Sequence, residues 1–358
     1  MNEAYHRALV SGESKGCQPT LLRLGLSGLA VGYGLAMRAR SLGYHWRLLE
    51  TQHVSVPVIS LGNITTGGTG KTPFAAFVAQ WFREHAVRVA FLSRGYGADP
   101  GAVNDEALVL SQLCPDVPHL QNPDRVASAR IAMEELDSQL LILDDGFQHR
   151  RLGRDLDIVL IDATNPWGYG ALLPRGLLRE PLSALRRADL VVLTRVDAIA
   201  TEQLQGIQQR LQRIRGTAEC IETSFPVRRL VNSLGETAEW SSLTAEKVAA
   251  FCGIGNPAAF QGLLARRGIS VDGNRFRVFP DHHRYTREDV HDLCDWADHL
   301  GSPVVLTTQK DLVKLDVPKL HNSPLWAVEI GTEIHAGKDL LHGKLGEVLQ
   351  RVAQDGDD

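Results

Sequence analysis

Apolar positions in this chain come in short β-branched blocks that alternate with stretches of helical period. Val54-Ser55-Val56-Pro57-Val58-Ile59-Ser60-Leu61 predicts a buried strand. Phe74, Phe77, Val78, Trp81 and Phe82 recur at i, i+3, i+4, i+7 and i+8, which predicts one apolar helix face. Further blocks at 87–92, 140–143, 156–161, 190–193, 248–252, 275–279 and 304–306 predict strands, with helices over 107–113, 124–136 and 257–267. Strand, helix and strand alternate, so the fold predicted is α/β, with a doubly wound, mostly parallel sheet.

The first sixteen residues are polar and predict a loose segment. From Leu24 to Met37 there is no charge, and Arg38, Tyr44, Trp46 and Arg47 follow. The uncharged run is shorter than the roughly 20 residues of a spanning helix. Its basic, aromatic flank suits a membrane interface. A membrane-docked or marginally spanning helix is expected, with the rest of the chain in the cytoplasm; the competing reading is a buried core helix.

At 358 residues two domains are the better prior. The organisation expected is an N-terminal segment over 1–50, a nucleotide-binding core over 51–200 and a connecting region over 201–245. A smaller α/β domain over 246–345 and a polar tail over 346–358 complete it. A net charge of −4 argues against nucleic-acid binding as the main task. The five cysteines are scattered without C-x-x-C or zinc spacing and read as reduced thiols.

The chemistry begins where the first strand meets its helix, at Gly62-Asn63-Ile64-Thr65-Thr66-Gly67-Gly68-Thr69-Gly70-Lys71-Thr72-Pro73. A glycine-rich turn there aims backbone N–H groups and the helix dipole at an anion, and a phosphate fits best. Thr65, Thr66, Gly67, Gly68, Thr69 and Gly70 form the cradle, Lys71 reaches the β- and γ-phosphates, and the Thr72 hydroxyl binds Mg²⁺. The pattern G-x-x-x-x-G-K-[ST] wants glycine where Thr65 stands. Leu140-Leu141-Ile142-Leu143-Asp144-Asp145 is a hydrophobic strand ending in acid, the arrangement that holds Mg²⁺ behind a phosphate loop. Thr194-Arg195-Val196-Asp197 is close to the base-reading [NT]-K-x-D of GTPases, with Arg in place of Lys. Asp281-His282-His283 lacks the further ligand-spaced Cys or His that a metal site needs.

Taken together, GNxTxGGxGKTP, SRGYG, the Asp105-Glu106 pair, LDDGFQHR, LPRGxLREP, FCGIGNP, FPDHHxY and TTxKD resemble the tetraacyldisaccharide 4′-kinase family over roughly residues 20–330. That family also lacks the first glycine of the loop. The resemblance implies two α/β domains with a cleft between them. It implies ATP and Mg²⁺ as cofactors and a tetraacylated glucosamine disaccharide 1-phosphate as substrate. The 4′-hydroxyl is phosphorylated to give lipid IVA at the cytoplasmic face of the bacterial inner membrane. Residue by residue, it implies phosphate and Mg²⁺ roles for Lys71 and Thr72, and places Asp144, Asp145 and Gln148 in the acidic motif. Glu180 helps hold Mg²⁺, with Arg179 beside it. Asp105 is the catalytic base and His282, from the second domain, its partner, a pairing that would need the domains to close. Asn104 stands where the family often has glycine. Arg94, Arg150, Arg175 and Arg179 are candidates for the substrate phosphate, and no obligate protein partner is implied. The alternative is a P-loop switch ATPase or GTPase, a metallochaperone or targeting factor; Thr66 stands where such switches place a signature lysine.

Overall fold

The computed structural model describes residues 3–95, 104–243, 248–271 and 273–355, so Tyr96-Gly97 of the SRGYG motif lie outside the described residues. It divides into two compact units: Met1–Gly95, Asp116–Phe225 and Thr332–Asp358 form the first, and Tyr96–Pro115 with Pro226–Gly331 the second.

The first unit opens with helices α1 (Glu3–Ser11) and α2 (Cys17–His45). Leu9 and Val10 of α1 are buried, so the N-terminal segment is not loose. At 29 residues α2 runs well beyond the uncharged stretch, because Arg23, Arg38 and Arg40 continue the helix rather than end it. Then come β1 (Val58–Asn63), α3 (Lys71–Glu84) and β2 (Val89–Ser93). Helix α4 (Asp105–Leu113) belongs to the second unit. The first unit resumes with β3 (His119–Gln121), α5 (Arg125–Glu134), β4 (Leu140–Asp144), β5 (Leu156–Asp162), β6 (Leu190–Thr194), α6 (Thr201–Arg215) and β7 (Ile221–Ser224). These strands lie in the order β7-β6-β5-β1-β4-β2-β3, all parallel. Every residue of β1, β2, β4, β5 and β6 is buried, as expected of strands covered on both faces. The chain leaves β1 for β2 on one side and crosses from β4 to β5 on the other. The end of β1 is therefore a topological switch point, where such sheets bind ligands.

The second unit carries β8 (Val227–Val231), β9 (Thr237–Ala238), β10 (Ala249–Cys252), α7 (Pro257–Arg266), β11 (Phe276–Val278), α8 (Arg287–Leu300), β12 (Val305–Thr308), α9 (Gln309–Leu315), β13 (Lys319–Leu320) and β14 (Ser323–Ile330). Its order is β11-β10-β12-β14-β8-β9, with β13 on β14. β10, β11, β12 and β14 run parallel, and β8 and β13 join β14 antiparallel. Helix α4 packs on α9.

The chain then re-enters the first unit. β15 (Glu333–Ala336) pairs antiparallel with β7, and α10 (Lys338–Asp355) buries Leu341, Leu345, Val348 and Val352. The expected division over 246–345 and 346–358 is corrected here: residues from 332 onward belong to the nucleotide-binding core, and 346–355 are helix, not tail. Four apolar residues at i, i+4, i+7 and i+11 among polar neighbours are a thin signal without the groove they fill. The connecting region over 201–245 is likewise split, with α6 and β7 in one unit and β8 and β9 in the other.

Candidate active site

Residues 64–70 form the turn between β1 and α3. Gly70 is the N-cap of α3 and takes a left-handed backbone, φ 86° and ψ 24°. A Cβ there would also lie 2.2 Å from the Phe225 ring, so only glycine fits. Gly67 is left-handed as well, at φ 106°. A Cβ on Gly67 or Gly68 would meet nothing within 4 Å, so this face of the loop is open. Thr65 instead makes an antiparallel bridge to Leu178, and Thr66 N–H donates to the Leu177 carbonyl at 2.8 Å. Extended backbone of that kind needs no glycine, which accounts for threonine at position 65. Pro73 sits in the first turn of α3, where a missing N–H breaks no helical bond.

Asp144 ends β4 and Asp145 follows it, and the register sets Asp144 beside Leu61 of β1, next to the loop. Asp144 and Thr72 are both buried. Asp145 has a left-handed backbone, φ 52°, and collects two cations. Arg179 grips it with both terminal nitrogens at 2.7 and 2.9 Å, and Lys71 Nζ lies 3.6 Å away. Burial alone would raise its pKa, but Lys71 and Arg179 overcome that and hold its carboxyl well below the usual carboxylate range. Arg179 also donates to Asn63 Oδ1 at 3.1 Å, and Gln148 Nε2 donates to the Asn63 carbonyl at 2.9 Å. Glu180 is paired through both oxygens with Arg187, at 2.9 and 3.3 Å.

Two further side chains near the end of β4, buried Arg125 and half-buried His149, carry no sequence signal of a role. Arg125 opens α5 and is 6 % exposed. Its charge is felt by Asp145 and Asp144, and its Nη1 lies 3.5 Å from His149 Nδ1. Burial first, and then the Arg125 and Arg154 charges, push the His149 pKa down to about 4, so its ring is neutral near pH 7. A single arginine after a helix-capping Asp124 carries no motif, and only packing reveals it.

Asp105 is the first residue of α4. Asn104 caps that helix by accepting from Ala107 N–H at 2.9 Å, a reason for asparagine at this position. His282 Nδ1 lies 3.0 and 2.9 Å from the two Asp105 oxygens. The pair forms as expected, but both partners lie in the second unit. The expectation that pairing them requires closure between domains is therefore corrected: Asp105 was expected in the core over 51–200, because its place after β2 looks like a core crossover, whereas α4 belongs to the second unit. Burial would raise the Asp105 pKa; the His282 hydrogen bond and the Lys310, His282 and Lys314 charges hold it at about 2. The Asp105 hydrogen bond in turn raises His282, against burial. Lys310 Nζ donates to Glu106 at 2.6 Å, and Lys314 lies 3.7 Å from Asp105.

Three sequence motifs meet behind this pair at Asp311, which is fully buried. Its carboxylate accepts from Gly253 N–H of FCGIGNP at 3.0 Å, from Tyr285 Oη of FPDHHRY at 3.0 Å and from Thr308 Oγ1 of TTQKD at 2.7 Å. The segment that carries His282 is thus fixed three residues downstream. His283 turns to Asp289 at 3.1 Å, away from any shared ligand set with His282. Arg150 lies 4.5 Å over the Tyr44 ring of α2 and feels the Glu180 charge, and Arg175 donates to the Val10 carbonyl at 3.2 Å.

A model of the family described as "Tetraacyldisaccharide-1-P 4'-kinase" matches residues 22–350. A tetraacyldisaccharide 4'-kinase of Anaeromyxobacter sp. (strain Fw109-5) is 38 % identical and the match covers 97 % of each chain. One from Halothermothrix orenii is 36 % identical, covering 94 % of this chain and 96 % of its own. The crystal structure of LpxK from Aquifex aeolicus, described as in complex with ATP, superposes with a TM-score of 0.71 at 30 % identity, over 92 % of this chain and 99 % of that one. With a phosphate loop, an acidic strand end and an Asp–His pair built from the motifs that run through this match, the chain belongs to the tetraacyldisaccharide 4′-kinase family.

Proposed function

We propose that this kinase transfers the γ-phosphoryl group of ATP to the 4′-hydroxyl of a tetraacylated glucosamine disaccharide 1-phosphate, forming lipid IVA. The observation that carries the reading is the open Thr65–Thr72 loop at the switch point of the first sheet, with Lys71 beside the acids that end β4. Phosphoryl transfer asks a protein mainly for positioning and charge neutralisation. The loop amides and Lys71 hold the phosphates, and Arg179 and Arg125 add positive charge close by. As phosphate arrives, Lys71 exchanges Asp145 for it.

The residues present fit Mg²⁺, which takes hard oxygen donors and needs only one or two carboxylates besides phosphate oxygens. Thr72 and Asp144 would hold it, and when bound the ion neutralises charge on the phosphates. Glu180 would join only by releasing Arg187. In the second unit the Asp105–His282 pair removes the proton of the attacking hydroxyl. With Asp105 so acidic and His282 raised, the proton ends on the imidazole. Catalysis then requires the sugar hydroxyl to reach this pair and the γ-phosphate at once.

Among the described residues, α2 alone is long and apolar enough to cross a membrane. One face of it is tied to protein: Tyr33 Oη donates to the Arg179 carbonyl at 2.8 Å, Arg40 to the Gln148 carbonyl at 2.7 Å, and Ala30 and Gly34 are buried. The other face exposes Leu21, Leu24, Leu29, Val31 and Leu35. A helix bonded along one side to a soluble fold suits lying in an interface better than being ringed by lipid. We assign it to the cytoplasmic surface of the inner membrane, where it brings the acyl chains within reach.

The test is transfer of label from [γ-³²P]ATP to the disaccharide lipid by purified protein, with Lys71→Ala alongside. Label in the lipid, lost in a folded Lys71→Ala protein, is the expected result. Label released only as free phosphate would favour a switch ATPase.

A further inference from the structure

Thr194-Arg195-Val196-Asp197 is not accounted for by the reaction above. Its first two residues turn to the phosphate loop. Thr194, the buried last residue of β6, donates from Oγ1 to the Thr69 carbonyl at 2.9 Å. Arg195 Nη2 donates to the Gly68 carbonyl at 2.8 Å, while its Nη1 is bound by Asp162 at the end of β5. The Arg195 guanidinium also lies 5.9 Å over the Phe225 ring, which seals the other flank of the loop at Gly70. To make these contacts Arg195 adopts φ 56° and ψ 38°, a left-handed backbone that arginine rarely takes. Such strain persists where surrounding contacts impose it.

The consequence follows from peptide geometry. A trans peptide is planar, and its C=O and N–H point to opposite sides. Pinning the Gly68 and Thr69 carbonyls toward β6 therefore turns the N–H groups of Thr69 and Gly70 the other way, toward the open face of the loop. Asp162 neutralises the guanidinium, so Arg195 acts as a clamp and not as a second phosphate-attracting charge. We propose that Thr194 and Arg195 are positioning residues that preset the phosphate loop for ATP. In this chain the GTPase-like tetrapeptide orders the loop and does not read the base. The inference rests on the loop binding ATP phosphates, as proposed above.

The test uses the full chain and steady-state kinetics with ATP and the disaccharide lipid varied in turn. Arg195→Ala is expected to raise KM for ATP about tenfold, the scale of one charged hydrogen bond. KM for the lipid should stay put, while Tm should fall, since buried Asp162 loses its cation. Arg195→Lys, which keeps one charged donor, should recover most of the loss. Thr194→Val, which removes only the hydroxyl, should also raise KM for ATP, and it serves if Arg195→Ala does not fold. A KM for ATP within twofold of the native value in both Arg195→Ala and Thr194→Val would overturn the clamp. So would a changed ATP-to-GTP preference at unchanged KM for ATP, or equal losses in the two KM values. Native protein that hydrolyses ATP without labelling lipid would overturn the kinase reading instead, and its KM for ATP would still judge the clamp.

Discussion

Asp105 and His282 differ in how much water each sees: their side chains are 5 % and 39 % exposed. The buried carboxylate fixes the imidazole by Nδ1, and the exposed ring is the part a substrate can reach. Because the Asp105 hydrogen bond, with the Asp105 and Asp281 charges, raises the His282 pKa against burial and Lys310, the ring must lose its proton before it can accept another. We therefore expect kcat to fall as pH drops toward and below the raised His282 value, and His282→Ala to move that limb. Asp105→Ala should cut kcat by roughly 10²–10⁴ with ATP binding kept. The double variant should lose far less than the product of the single losses, since the two act as a unit; multiplicative losses would refute the pair. Stability gives a second check. The depressed Asp105 contributes above its ordinary value near 4 and loses that contribution as pH falls toward about 2. The raised His282 contributes below its ordinary 6.5 and loses it as pH rises through its folded value. Urea unfolding should thus show the largest gap between native protein and Asp105→Asn at about pH 4–6.5.

Among the elements, α2 carries the clearest conflict between composition and packing. Its apolar residues would be buried in a soluble fold, yet Leu24, Val31 and Leu35 are more than half exposed. Patches of this kind mark an interaction surface. Replacing these three by serine should release the protein from anionic vesicles and raise KM for lipid while leaving KM for ATP alone. Flotation and kinetics measure both, and unchanged vesicle binding would remove α2 from the membrane. The length of α2 was not legible from its uncharged run, because Arg23, Arg38 and Arg40 extend the helix and Arg23 and Arg40 spend their charge on backbone carbonyls. Helix α10 was missed for a related reason: its buried stripe is meaningful only against the strands it covers.

On the scale of the whole molecule, the chain crosses between the two units at 95/96, 115/116, 225/226 and 331/332. Each unit has its own sheet and core, so ligands should stabilise them separately. ATP at a hundred times its Kd should add about 2.7 kcal/mol to the unit that holds the loop. Calorimetry with and without ATP should show that gain, and Lys71→Ala should abolish it. A gain retained in Lys71→Ala would place ATP elsewhere.

The family resemblance implied the Asp105–His282 pair, while the sequence by itself determined the phosphate loop, the acidic strand end and the parallel α/β class. These follow from short-range pattern: glycine where φ is positive, β-branched runs where a strand is buried on both faces, and acids placed where strands end. Only the tertiary structure decided that residues 96–115 belong with the second unit, that Glu180 is held by Arg187, and that Arg125, Thr194 and Arg195 stand against the loop and its acids. Those are contacts between residues 7 to 127 positions apart, set by which strands neighbour one another. Strand order is a property of the packed sheet, and local residue pattern carries little record of it.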